Sequence, residues 1–269
     1  MRSLGEVEHI VRQAGEFARA SAGACRVAAG IVSNVDLTLG DGVAAVLEAH
    51  VSAGEGRLRG VRHHATFDGG VVGRFTHQAP SGLLEAESFR LGLSWLKRLD
   101  LSFDAIVFHH QLPRLANLAD MVPDTLMILN HLAPVIGVGE QAHRRMEQFN
   151  EWRVHLRELA RRPNVFVKIG GLGMPMFGFG FERMERPAAS EALARAWQPF
   201  FDECLDAFGP GRCMLESNFP IDKQACGYAE LWNAFKRCAK GLSAAEQADI
   251  FYRTACLAYR LPELERLAN

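Results

Sequence analysis

Short aliphatic, often β-branched runs recur along the chain, and each is followed by a stretch whose apolar residues return every three or four positions. Residues 25–32 (CRVAAGIV) precede GVAAVLEAHVSAG, where Val43, Val46, Leu47 and His50 share one helical stripe. RLRGVRHHA (57–65) leads through a Pro/Gly-flagged loop to LLEAESFRLGLSWLKRL. DAIVFHH (104–110) leads to PRLANLADMV, and TLMILNH (125–131) to EQAHRRMEQFNEWRVHLRELARR. NVFVKIGG (164–171) precedes a Gly/Pro/Met loop and SEALARAWQPFFDECLDAF. RCMLES (212–217) precedes YAELWNAFKRCAKG, and AAEQADIFYRTACLAYRL follows. Strands of four to eight residues alternating with longer amphipathic helices predict parallel βα units. Near-continuous apolar strands such as AIVF and LMIL fit a sheet covered on both faces. The expectation is an α/β fold with six parallel strands near 25–32, 57–64, 104–110, 126–131, 165–170 and 213–217. An open doubly wound sheet accommodates six strands, whereas closure of a (β/α)8 barrel needs eight.

Composition narrows the function classes. The 269 residues carry 30 Lys and Arg against 31 Asp and Glu, so no broad basic field exists for nucleic acid or an anionic membrane. Hydrophobic residues make up 48% and charged residues 23%, which excludes disorder as the main character. The apolar runs are far shorter than the roughly 20 residues of a membrane span. The first fifteen residues lack the apolar centre of a signal peptide. Six scattered cysteines with no CxxC pair read as reduced thiols. With no linker or repeat, residues 1–269 are expected to form one cytoplasmic domain acting on a small molecule.

Polar residues close five of the six apolar strands: Arg62-His63-His64, His109-His110-Gln111, Asn130-His131, Lys168 and Glu216-Ser217-Asn218. In parallel α/β folds the site lies at these carboxyl ends. Burying several imidazoles and a carboxylate together is costly unless they bind something. Alternation forbids His63 and His64, or His109 and His110, from sharing a face, whereas Glu216 and Asn218 do share one. GGLGMPMFGFG is not a GxGxxG turn, no GxxxxGK[ST] occurs and no GxSxG elbow is present. The Met174/Met176/Phe177/Phe179 cluster reads as a lid or packing loop around a pocket mouth.

RLRGVRHHATFD, LSFDAIVFHHQLPRLANLADMVPDTLMILNHLAPVIG, PNVFVKIGGLGMPMFGFGF and FGPGRCMLESNFPIDK resemble the amidohydrolase-related family, which contains sugar lactonases, dicarboxylate lactonases and metal-dependent decarboxylases. The resemblance implies a (β/α)8 TIM-barrel type of fold, here N-terminally incomplete with about six strands. It implies hydrolysis of a lactone or related carbonyl compound. His131 matches the family's strand-end histidine, His109 and Gln111 its QLP segment, and Arg62-His63 its IRH-like segment. Asn218, in ESNFP, stands where many members have the Asp of a GSDWP-like segment. The family's HxH strand and its first two strands find no counterpart, so the expectation is either a late-starting reading frame, which is favoured, or a natural truncation.

The expected catalytic residues are therefore Glu216 as general base, His131 and His109 as carbonyl polarisers or proton relays, and Asn218. Arg62, His63, Gln111 and Lys168 are expected to bind substrate. Lys168 could equally form a salt bridge to Glu216. The resemblance implies a divalent metal such as Zn in relatives; without HxH, His131, His109 and Glu216 are the three ligands available, and activity without metal is the expectation here. Two readings compete with hydrolysis: a non-catalytic barrel remnant and a metal-dependent decarboxylase. Missing strands leave open edges at 25–32 and 213–217, which invite homo-oligomerisation. The stripe Val7, Ile10, Val11 and Ala14 is expected to cover that gap only in part.

Overall fold

Six of the apolar runs form six strands of one sheet, each flanked by helices. The structure is a computed structural model that describes residues 2–20, 26–70, 72–74 and 77–261. In chain order the elements are α1 (Arg2–Ala20), β1 (Ile31–Asn34), α2 (Val43–Ala53), β2 (Leu58–His64), α3 (Glu87–Arg98), β3 (Ser102–Ile106), α4 (Leu112–Met121) and β4 (Met127–Leu129). There follow α5 (Arg145–Ala160), β5 (Val165–Ile169), α6 (Ser190–Phe208), β6 (Cys213–Leu215), α7 (Tyr228–Cys238), α8 (Ala244–Ala248) and α9 (Thr254–Tyr259). Every neighbouring pair is parallel, and the spatial order is the sequence order β1 to β6. A doubly wound sheet reverses its order at a switch point; this one never does, which is the winding of a barrel.

The two expected boundaries that shift most do so for local reasons. The first strand starts at Ile31, not at 25, because Ala28 takes a left-handed conformation in a turn and the ladder begins with Ile31 N–H donating to Arg57 O. Cys25 lies outside the described residues. The third strand ends at Ile106, and His109–Gln111 form a 3-10 turn that leads into α4. His109 therefore leaves the strand-end geometry that its sequence position suggested.

The pleat divides the strands into two faces. Val61, Phe103, Ala105, Met127, Leu129, Val165, Val167 and Cys213 face the helices and join Trp152, Trp197 and Phe235 in the main core. The opposite face carries Val32, Ile128, Phe166 and Met214, which gather around Ala258, Tyr259 and Leu261. Residues from both end strands, β1 and β6, thus meet the same C-terminal segment. Leu261 reaches Gly30, where an added Cβ would come within 2.8 Å of its Cδ2, and Arg260 Nη2 donates to Arg59 O (2.9 Å). The sheet wraps around α9.

This corrects the expectation for the open edge. The apolar stripe of α1 packs against α2 and β1, with Val7 and Ala14 buried and Ile10 41% exposed. It is the C-terminal helix, and not α1, that fills the concave side. If so, Tyr259→Phe, which removes a hydrogen bond to a buried carboxylate, should cost about 1.5–3 kcal/mol. Thermal melting is expected to show a Tm lowered by several degrees, while Tyr252→Phe on the partly exposed side leaves it unchanged. Equal melting of the two variants would show that α9 is not a structural plug.

Candidate active site

The inward positions of successive strands place charge at one level. Arg62 (β2) pairs in register with Asp104 (β3), and Lys168 (β5) projects from the same face. Asp104 is fully buried. Its Oδ2 accepts from Lys168 Nζ (2.8 Å) and from the Tyr259 hydroxyl (2.8 Å), with Arg62 Nη2 at 3.7 Å. Such a carboxylate survives burial only because several donors replace its water. Burial and the charge of Asp104 push the Tyr259 phenol far up, so it keeps its proton and donates. Asn130, one residue past β4, accepts on Oδ1 from Arg62 Nη2 (2.8 Å) and Lys168 Nζ (3.0 Å). Its amide nitrogen is spent on the Ala105 and Ile128 carbonyls.

Above this layer His131 meets Glu216. Glu216 Oε1 accepts from the His131 backbone N–H (3.1 Å) and contacts His131 Nδ1 at 2.5 Å, while Oε2 lies 4.0 Å from Lys168 Nζ. Burial pushes the Glu216 carboxyl up, but His131, Lys168 and Arg62 together outweigh it and hold the group down at about 2. The backbone that delivers His131 is strained: His131, Leu132 and Ala133 are three successive left-handed residues without a glycine. Trp152 Nε1 anchors them by donating to Leu132 O (2.7 Å). Gly170 at the end of β5 leaves room for Glu216, since a Cβ there would sit 2.4 Å from Glu216 Cγ. Gly171, at φ 69°, does the same for the His131 ring.

The expected site residues thus separate. Arg62, His131, Lys168 and Glu216 come together. The anticipated Lys168–Glu216 contact exists but is long, and the shorter partner of Lys168 is Asp104. The other four make different contacts. His63 faces outward: its Nδ1 lies 3.1 Å from the Leu37 N–H and 3.2 Å from Val35 O, and the ring packs edge-on against Phe89. Gln111 is a staple whose Oε1 accepts from Phe67 and Phe108 N–H and whose Nε2 donates to Ala65 O. His109 lines a separate cavity with Asp68 and Gln148, and burial pushes its imidazole down to about 4. Asn218 takes a left-handed conformation that asparagine tolerates, and its amide donates to Asp222 Oδ1 (2.7 Å). The expected packing loop after β5 holds its form: Phe177, Phe179 and Phe181 stack in a row, and Arg145 lies 4.3 Å from the Phe179 ring.

Sequence reasoning missed Asp104, Tyr259 and Asp222, and it named Asn130 at a strand end without giving it a role. Asp104 had a signal, an acid inside an otherwise apolar strand with two inward cations available. Tyr259 had none, since only the tertiary wrap brings it to Asp104. Asp222 is fully buried, accepts from Gly173 N–H (3.0 Å), and is pushed up to about 6 by burial.

The described residues do not fit a catalytic metal. No group of three His, Cys, Asp or Glu side chains converges among them. His131 Nδ1 is occupied by Glu216, and Asn218 turns its amide nitrogen toward Asp222.

The lowered Glu216 carboxyl fixes a sign for the pH dependence. An acid with a folded pKa below its unfolded value contributes stability above the unfolded pKa and loses it as pH falls through the folded one. For Glu216 that window runs from about 4.5 down to about 2. Asp222 acts oppositely, its cost relieved as pH falls from about 6 toward 3.8. Denaturant unfolding should therefore show wild type more stable than Glu216→Gln at pH 6, with the gap closing toward pH 2. A gap independent of pH would mean that the carboxylate charge contributes nothing.

Comparison with known proteins agrees with this geometry. The amidohydrolase family model matches residues 4–261. An uncharacterised protein of Sinorhizobium fredii is 32% identical over 232 residues, covering 86% of this chain and 70% of that one. An L-fucono-1,5-lactonase of Burkholderia multivorans is 30% identical over 209 residues, covering 77% of this chain and 64% of the lactonase. This chain thus spans less than two thirds of that enzyme's length. A crystal structure of a Burkholderia multivorans amidohydrolase with bound zinc superposes with a TM-score of 0.71 at 28% identity, over 92% of this chain and 77% of that one. No described helix is long and apolar enough to cross a membrane. A parallel sheet wound in sequence order, polar residues at its carboxyl ends and a family match over nearly the whole length together place this chain in the amidohydrolase family.

Proposed function

We propose that the chain hydrolyses a small, uncharged lactone, with His131 as the base and Glu216 as the group that orients it. The observation that carries this is the His131–Glu216 pair. A carboxylate on Nδ1 fixes the tautomer in which Nε2 bears the lone pair, and Nε2 has no hydrogen-bond partner among the described residues. Glu216 itself is held too acidic, at about 2, to be an efficient base at neutral pH. This moves the base from Glu216, as the sequence suggested, to its neighbour.

In this reading a water attacks the lactone carbonyl carbon while His131 Nε2 takes its proton. The carbonyl oxygen gains the negative charge and faces the N–H donors of Lys168 and Arg62. The acyl–oxygen bond then breaks, and the proton on His131 passes to the departing alkoxide, leaving a hydroxy acid. Charge balance supports an uncharged substrate: Arg62 and Lys168 are matched by Asp104 and Glu216 within 4.0 Å. A dicarboxylate, or the carboxylate substrate of a decarboxylase, meets no net attraction there. The lactonase among the relatives supports the same class.

The test is turnover of an aldono-1,5-lactone by the purified chain, followed by proton release, against a dicarboxylated lactone. Hydrolysis of the neutral lactone is expected. His131→Asn should lower kcat by about 10²–10⁴. Glu216→Gln should lower it less, with a shifted pH profile. Absence of turnover on the neutral lactone would overturn the proposal and favour a non-catalytic remnant.

A further inference from the structure

His109, which the proposed reaction does not use, belongs to a second cavity of about 170 Å³. It lies beyond the carboxyl ends of β2, β3 and β4, between the loop carrying Asp68, the turn at His109 and the first turns of α5. Arg144, Gln148 and Glu151 complete the part of its wall that matters here. Two features of this wall are unusual. His109 and Gln148 are 4% and 5% exposed, yet His109 Nδ1 and Gln148 Oε1 have no hydrogen-bond partner. Unpaired buried polar atoms are costly, and a bound water, ion or ligand is among the things that satisfy them in native structures.

The charges on the wall say what that group is. Arg144 is already neutralised by a bidentate pair with Glu147 (Nε to Oε2 2.9 Å, Nη2 to Oε1 2.8 Å). His109 carries no charge near pH 7, because burial holds its imidazole at about 4. Asp68 and Glu151 remain: neither has a cation within 4.0 Å among the described residues, and Glu151 is attracted to Arg144 only at longer range, behind Glu147. Asp68 uses Oδ2 to accept from Val72 and Gly73 N–H. Gln148 Nε2 donates one of its two N–H groups to Gln141 Oε1 (2.8 Å), and the atom left without a partner is Oε1, an acceptor. This part of the wall thus presents an unpartnered acceptor and two carboxylates.

We propose that this cavity is a binding site for a small primary ammonium compound. An ammonium group supplies three N–H donors and one positive charge, which matches Gln148 Oε1, Asp68 and Glu151. At about 30 Å³ per water-sized portion, the volume admits a molecule of about four to six heavy atoms. The proposal is independent of the lactone reading, because none of its residues enters that reaction.

Ethanolammonium titrated into the intact chain by calorimetry at pH 7 is the probe, with ethylene glycol as the uncharged control. Saturable binding of ethanolammonium and none of the glycol is expected. Glu151→Gln, at an exposed position that disturbs no packing, should weaken it about 3-fold, and Asp68→Asn about 10-fold. Lactone hydrolysis should be unchanged by Glu151→Gln. No saturable binding, equal binding of the glycol, or full affinity in both variants would each overturn the assignment.

Discussion

The structure depends on one buried charge. Asp104 sits mid-strand with no access to solvent, and its carboxylate is matched from β2 by Arg62, from β5 by Lys168 and from α9 by Tyr259. Stripping such a group of water costs several kcal/mol, and removing one partner of a buried pair typically costs about 3–5 kcal/mol. The contacts are therefore weak evidence of net stability and strong evidence of a fixed arrangement. Strands three places apart and a C-terminal helix can satisfy Asp104 only when the sheet is curved around α9. An apolar residue at 104 would leave that curvature less strictly specified.

The same arrangement prepares the candidate site. Lys168 divides its donors between Asp104 below and Asn130 beside it, and lies 4.0 Å from Glu216 above. Glu216 in turn holds both the backbone and the ring of His131. Three consecutive left-handed residues would each cost of order 1–3 kcal/mol, so the turn at His131 persists only because its surroundings over-determine it. Those surroundings are specific: Glu216 grips the first residue, and Trp152 the carbonyl of the second.

The parallel βα order was legible because aliphatic runs and helical stripes repeat at lengths that allow little else. The carboxyl-end rule then picked out Arg62, His131, Lys168 and Glu216, whose side chains the structure brings together. What misled was the assumption that a polar residue after an apolar run continues the strand. At His109 the chain has already entered a 3-10 turn, so its side chain leaves the barrel axis. His63 faces outward by strict alternation, and the choice between it and His64 depends on register, which one strand's sequence does not state. Tyr259 was invisible because it stands 155 residues from the carboxylate it serves.

Six strands with sequential order leave β1 and β6 as the ends of the described sheet. A sheet of this winding would ordinarily fill its interior with side chains from strands all round. Here α9 and Leu261 supply apolar groups to Val32, Ile128, Phe166 and Met214 on the concave face. A helix brings side chains but cannot extend the ladder, so it fills the interior and does not pair the edges. This packing also binds the fold to the chemistry. The phenol that seals the interior donates to the carboxylate that positions Lys168, and Lys168 stands beside Glu216 and so beside His131. Loosening the C-terminal helix would reach the proposed base through Tyr259, Asp104, Lys168 and Glu216 in turn.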